Sequence, residues 1–172
     1  MKRLKLIVCC DSDNGIGKNN SIPWTNKDEM NIFKNKTIGK GNNCVIMGSN
    51  TYQSLPERHR PLKNRKNIVI SSRMKPFEYK DIEIMTSHYD IIDILNQDKY
   101  EEYWLIGGAY IYDFFLKFYK CLIDEIHISI LNESYACDRF FPKINQHEFV
   151  CVYKKDYNGS FTHFIYKNKS YL

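Results

Sequence analysis

The 172-residue chain contains no long hydrophobic run. The apolar stretch nearest the start, residues 6–10 behind a basic MKRLK, is far shorter than the ~20 residues that cross a bilayer and too short for the core of a secretory signal. No later run approaches a membrane span, so the chain reads as soluble and cytoplasmic. It also lacks any CxxC pair or any histidine pair at metal-ligand spacing, although six cysteines are present. That pattern excludes a zinc site on spacing grounds and reads as reduced cysteines serving as small hydrophobes, with no metal. The net charge of +5 favours anionic ligands, including nucleotides. Its lysines are dispersed rather than gathered in a basic stripe, which argues against a nucleic-acid partner. There is no internal repeat, no low-complexity tract and no linker.

What is present is globular. Hydrophobic residues make up 43% and aromatics 15% of the chain. A single domain over residues 1–172 is expected, burying roughly 70% of its unfolded surface without staples. No long apolar surface run stands out, so a monomer is the expected state.

Strand-like and helix-like runs alternate. Residues 4–10 form a first strand ending in the turn-rich DSDNG. Residues 25–37 read as a helix, with Thr25 as its cap, Asp28 three residues on, and Gly39 and Gly41 past its end. Strands follow over 43–47, 67–70 and 82–85, with a short helix over 49–55 between the first two. A helix over 89–96, a strand over 103–106, a helix over 109–118 and a strand over 125–131 come next. Residues 148–156 and 161–168 form a closing hairpin about Tyr157-Asn158-Gly159-Ser160. This order predicts an α/β fold: a central, mainly parallel twisted sheet, an antiparallel C-terminal hairpin and about four flanking helices. Ligands of such sheets sit beyond the carboxyl ends of the strands, where the informative residues fall.

Four places there carry chemistry. The loop over residues 15–24 is long, and Ile16, Ile22 and Trp24 either cover their own core or form an apolar lid over a flat ligand. On the first helix Glu29 shares a face with Ile32 and Phe33. It stands either at the border of the apolar face or buried on it, where it would need a pairing ligand. The segment RHRPLKNR supplies Arg58, Arg60 and Arg65, which either fork a carboxylate or phosphate or are solvated. In YWLIGGAY, Gly107-Gly108 joins a strand to a helix without the GxGxxG fingerprint. It is either a plain turn or a place where backbone approaches an anion at the helix start.

Taken in order, these pieces resemble the dihydrofolate reductase family over nearly the whole chain. The carriers are Gly15-Ile16-Gly17 with Ile22-Pro23-Trp24, Phe33-Lys34 with Thr37, Val45-Ile46-Met47-Gly48 with Thr51, and Ser54-Leu55-Pro56. Arg60-Pro61-Leu62, Arg65-Lys66-Asn67-Ile68-Val69, Trp104-Leu105-Ile106-Gly107-Gly108 with Tyr112, and Asp138 with Phe141-Pro142 complete the series. Each is moderately specific; the ordered series is highly specific.

The resemblance implies NADPH-dependent reduction of 7,8-dihydrofolate to tetrahydrofolate, serving one-carbon metabolism, with antifolates such as methotrexate as further ligands. It places Glu29, Ser129 and Trp24 in the catalytic set. Ser129 stands where the family usually has threonine. It implies substrate contacts by Ile7, Val8, Phe33, Leu55, Arg60, Leu62, Arg65, Ile106 and Tyr112, with Arg65 on the glutamate α-carboxylate. For the cofactor it implies Cys9, Ile16, Gly17, Ser21 and Ile22 near the nicotinamide, and Gly48, Ser49, Asn50 and Thr51 near the phosphates. Ser71 is a further cofactor contact, Ser72 and Arg73 would hold the 2′-phosphate, and Ile106 through Tyr112 (Gly107, Gly108, Ala109, Tyr110 and Ile111 between) would line the cofactor side. Ser49 and Asn50 replace basic residues common in the family, so the preference for NADPH over NADH rests mainly on Arg73. A cis peptide between Gly107 and Gly108 is also implied.

Overall fold

The computed structural model describes residues 1–172. The strands in chain order are β1 (Leu4–Cys10), β2 (Gly15–Gly17), β3 (Cys44–Gly48), β4 (Lys66–Ile70), β5 (Glu83–Met85), β6 (Tyr103–Leu105), β7 (Ile123–Leu131), β8 (Arg139–Phe140), β9 (Phe149–Tyr157) and β10 (Phe161–Asn168). The helices are α1 (Lys27–Ile38), α2 (Ser49–Ser54), α3 (Ile91–Asn96) and α4 (Ala109–Phe118). Eight strands form one sheet in the order β5-β4-β3-β6-β1-β7-β10-β9, while β2 and β8 pair separately. Neighbours from β5 to β7 run parallel, and only β10 runs against its neighbours β7 and β9. The expected mainly parallel sheet with an antiparallel C-terminal hairpin is the observed one.

The physical cause is legible strand by strand. β6 is buried throughout and β3 over its first four residues, as strands covered on both faces must be. A 23-residue core cluster fills one side, with Leu4, Leu6, Val8, Ile46, Leu105 and Phe115 among its members. A smaller cluster on the other face includes Ile7, Val45, Met47 and Trp104. Odd and even residues of β1 divide between the two, as a period of two requires. β9 closes one edge with exposed Lys154 and Lys155, charges that discourage pairing with a further strand.

Helix α1 begins two residues later than residue 25. The cap is Asn26, not Thr25: its side-chain oxygen accepts the Glu29 backbone N–H at 3.1 Å. Asparagine caps at least as well as threonine, so the helix starts where the stronger cap stands. Gly39, at φ 54°, ends it in a conformation glycine tolerates. Residues 88–90 form a 3-10 turn leading into α3 rather than its first turn, because Ser87 and Asp90 build a capping box there. The segment over 15–24 is not all loop. Gly15 pairs with Phe140 and Gly17 with Arg139 in the small β2–β8 sheet.

Candidate active site

A cleft of about 1380 Å³ opens at the carboxyl ends of β1, β3, β4 and β6. Its walls come from the β1 end, the 16–24 segment, one face of α1, the start of α2, the 54–65 segment, the end of β4 and the start of α4. Six cationic side chains line it: Lys34, Arg58, Lys63, Arg65, Arg73 and Arg139. Glu29 is the sole carboxylate among the lining residues. Such a cleft suits ligands with several anionic groups and one place for a carboxyl partner.

Glu29 sits in the first turn of α1 and is 8% exposed. Of the two alternatives in the sequence, the buried one holds. Burial pushes its carboxyl up to about 7, and the nearby Ser129 hydroxyl, which favours the anion, offsets only part of that rise. Ser129 does not line the cleft; it is buried on β7, 1% exposed, with Oγ 2.9 Å from Nδ1 of His163 on β10. Phe33, Leu55 and Leu62 line the cleft beyond Glu29, as do Ile7, Val8, Ile106 and Tyr112. The Tyr112 hydroxyl donates to the Ile7 carbonyl at 2.7 Å, which ties α4 to the middle of β1.

Arg65 is half-buried in the cleft wall. Its Nη1 donates to Thr37 Oγ1 at 2.5 Å and its Nε to the Lys63 carbonyl at 3.0 Å, and its guanidinium lies 5.8 Å from the Phe33 ring centre. No carboxylate of the chain pairs with it. Burial pulls its pKa down to about 10, so it stays a cation at neutral pH with donors to spare. Arg60 is placed differently from the expectation. It lies outside the cleft lining, donating Nη1 to the Gln53 carbonyl at 3.1 Å and pairing with Glu57 at 3.8 Å. A proline follows Arg60 through a cis bond, and the side chain packs against α2, its guanidinium 5.6 Å from the Tyr52 ring centre.

On the opposite side, Cys9, Ile16, Gly17, Ser21, Ile22 and Trp24 line the cleft together. Their segment is held by a carboxylate the sequence did not single out. Asp11, buried at the end of β1, accepts the backbone N–H groups of Gly15 at 2.7 Å, Asp13 at 2.9 Å and Tyr135 at 2.9 Å. Desolvation alone would raise its pKa, but these donors outweigh it and hold the carboxyl below its usual range. Asp138 Oδ2 accepts the Asn19 N–H at 3.0 Å and closes the same segment onto the β8 strand's neighbourhood. A Cβ on Gly15 would meet the Cys137 Cβ at 2.4 Å, so this packing admits only glycine there.

The far end of the cleft carries Gly48, Ser49, Asn50, Thr51, Ser71, Ser72, Arg73, Gly108, Ala109, Tyr110 and Ile111. Gly107–Gly108 is a cis peptide, and Gly107 itself lies behind the wall, its carbonyl accepting the Gly48 N–H at 2.8 Å. A Cβ on Gly108 would meet Thr51 Oγ1 at 3.0 Å, and one on Gly48 would meet Ile111 at 3.2 Å. Two glycine backbones are thereby exposed side by side at the start of α4. Gly108, in the N-cap position, offers no side chain to the first N–H groups of that helix, which leaves them free for an anion. Ala109 contributes a half-exposed methyl to the same wall. Arg73 makes no ion pair with the chain. Its backbone N–H and that of Met74 are held by Ser71 Oγ at 3.2 and 3.1 Å.

Residues 3–169 match the family model described as dihydrofolate reductase. The chain belongs to the dihydrofolate reductase family. It is 36% identical over 166 residues to the dihydrofolate reductase of Ureaplasma parvum serovar 3, an alignment covering 96% of this chain and 97% of the relative. It is 31% identical over 150 residues to the Drosophila melanogaster dihydrofolate reductase, covering 84% and 81%. It is 31% identical over 150 residues to the viral dihydrofolate reductase of Saimiriine herpesvirus 2, covering 83% and 70%. As a member of this family the chain is an oxidoreductase of folate metabolism that reduces dihydrofolate to tetrahydrofolate with a nicotinamide cofactor. No helix is long and apolar enough to cross a membrane.

Several lining residues had no reading in the sequence as ligand contacts. Met30, Lys34 and Ile38 extend the wall along α1 at four-residue spacing, and that spacing was the available signal. Arg139 and His88 reach the cleft from segments distant in the chain, and nothing local marks them. Asp11 was hidden in a turn-rich sequence, where an aspartate is ordinary.

Proposed function

We propose that the chain reduces 7,8-dihydrofolate with NADPH, adding hydride at pterin C6 and a proton at N5. Glu29 carries this reading, as the one carboxylate among the residues that line the cleft. Its carboxyl is positioned to bond the amino group and ring N–H of a pterin. With its pKa near 7 it exchanges a proton at working pH, and so favours protonation of the ring at N5 through solvent. Phe33, Leu55 and Leu62 sandwich the ring and benzoyl group, and Arg65 with its spare donors takes the glutamate α-carboxylate.

NADPH supplies the hydride when bound. The residues at the far end of the cleft fit such a dinucleotide: glycine backbones at Gly48 and Gly108, the open start of α4, and the hydroxyls of Ser49, Thr51, Ser71 and Ser72 suit phosphates. Arg73, free of any partner in the chain, would read the 2′-phosphate. Ile16, Ile22 and Trp24 would cover the nicotinamide and exclude water. The six free cysteines suit a reducing, cytoplasmic setting, and we read the enzyme as a single-domain monomer that also takes antifolates such as methotrexate.

The purified protein is expected to consume NADPH only when dihydrofolate is added. Tight methotrexate binding without any such turnover would contradict the reading. Arg73→Ala is expected to narrow the preference for NADPH over NADH by about tenfold, one charge-assisted contact being worth roughly 1.5–3 kcal/mol before solvent screening. An unchanged ratio in steady-state assays would move the 2′-phosphate elsewhere.

A further inference from the structure

Behind Glu29 lies a buried polar pair that the reaction as described does not use. Ser129 and His163 stand directly opposite each other on the antiparallel strands β7 and β10. They are 1% and 2% exposed, and Ser129 Oγ lies 2.9 Å from His163 Nδ1. Ser129 also acts on Glu29, whose carboxyl its hydroxyl holds lower than burial alone would, so the serine stands between that carboxyl and an imidazole. The groups facing His163 are His127 on β7, Lys36 from α1 and the Tyr153 ring from β9. Lys155, its register partner on β9, shares that face but is exposed, its Nζ 4.8 Å from the Tyr157 ring centre. Burial, with His127 and Lys36 adding to it, holds the ring's pKa at about 4, so it is neutral at working pH.

A neutral imidazole has one N–H, and the tautomer decides where the serine proton goes. A carboxylate can only accept. If Ser129 is to serve Glu29, its single O–H must point there, and Oγ must then accept from His163. The Nδ1–H tautomer does this. It leaves His163 Nε2, which has no partner, as a bare acceptor. The other tautomer would bury an unpartnered N–H there and draw the serine proton away from Glu29. Buried donors without a partner are the rarer case. His127 is arranged in a compatible way: its Nε2 lies 3.0 Å from Glu125 Oε2, so that nitrogen carries its proton and Nδ1 is bare.

We propose that His163 is a positioning residue for the reduction: its Nδ1–H donates to Ser129 Oγ and thereby commits the Ser129 proton to Glu29. This rests on Glu29 acting as the carboxyl of dihydrofolate reduction. The serine that replaces the family's usual threonine has one methyl less to fix its rotamer, and His163 supplies that constraint from the neighbouring strand.

Two measurements on the intact enzyme test it. Nitrogen NMR of the imidazoles in the unaltered protein reports the tautomer directly; Nδ1–H on His163 is expected, and Nε2–H overturns the proposal. That result stands whether or not the protein turns over dihydrofolate, so failure here is distinct from failure of the reductase reading. The second is the pH profile of kcat/KM for dihydrofolate. His163→Phe, which keeps the volume and removes the donor, is expected to raise the apparent pKa of Glu29 by about half a unit, roughly threefold in proton affinity. His163→Asn, whose amide can place an N–H where Nδ1 was, is expected to return the profile to near the parent's. In a Ser129→Ala background His163→Phe is expected to cause no further shift. A downward shift, an unchanged profile, or the same shift with and without Ser129 would overturn it.

Discussion

A carboxyl buried in a cleft wall loses much of its solvation, and Glu29 shows the cost. Its pKa near 7 means that the folded protein keeps a proton that the unfolded chain, at its ordinary value of 4.5, gives up. Folding stability is therefore unaffected below about pH 4.5, falls as the pH rises through the interval to about 7, and stays lowered above it. The full interval corresponds to about 3 kcal/mol. Glu29→Gln removes the ionisable group at nearly constant shape. It is expected to stabilise the ligand-free protein at pH 8 by up to about 3 kcal/mol and to leave it nearly unchanged at pH 4. Urea unfolding at the two pH values measures this; an equal effect at both would mean that Glu29 is not desolvated in solution. The burial of Glu29 could not be read from the sequence, because a glutamate three and four residues before Ile32 and Phe33 fits the border of an apolar face as well as its middle. Only the sheet packed beneath α1 decides between them.

At the scale of elements, periodicity and turn residues carried most of the information. β1 and α4 begin and end where the sequence pattern puts them, since each is a continuous apolar or amphipathic run between clear breakers. The start of α1 differed because two adjacent residues, Thr25 and Asn26, can both cap and only the local backbone chooses. The β2–β8 pair escaped notice for another reason. A strand of three residues and one of two, more than a hundred positions apart, leave no alternation to detect. What fixes that segment is Asp11, which gathers three backbone N–H groups from both sides of the pair. Asp11→Ala is expected to lower stability by about 2–4 kcal/mol, because three donors lose a buried acceptor. Asp11→Asn, which keeps one acceptor oxygen, is expected to lose less. Equilibrium unfolding of the two variants checks this, and an alanine variant within about 0.5 kcal/mol of the parent would remove Asp11 from its place in the loop.

Across the whole molecule, a modest net charge of +5 conceals an uneven distribution. Six cations and one carboxylate share the cleft, while most carboxylates lie elsewhere, several of them paired with lysines along β1, β7 and β10. The dispersal of lysine along the chain hid this concentration, which arises only when strand ends and loops converge. NADPH binding is accordingly expected to weaken with ionic strength, by about tenfold between 0.01 M and 0.5 M salt, as the screening length shrinks from about 30 Å to a few ångström. Fluorescence titration across that range measures it, and a salt-independent affinity would contradict an electrostatic role for these side chains.

The central claim is that Glu29 is the carboxyl partner of the reacting pterin. Its most direct test is turnover of Glu29→Gln at pH 7 with saturating NADPH and dihydrofolate, alongside NADPH affinity in the same preparation. Loss of a positioned proton-transfer group predicts a fall in kcat of about 10²–10⁴-fold, with NADPH affinity within about twofold of the parent because Glu29 lies at the other end of the cleft from Arg73. Turnover near that of the parent enzyme would contradict the account.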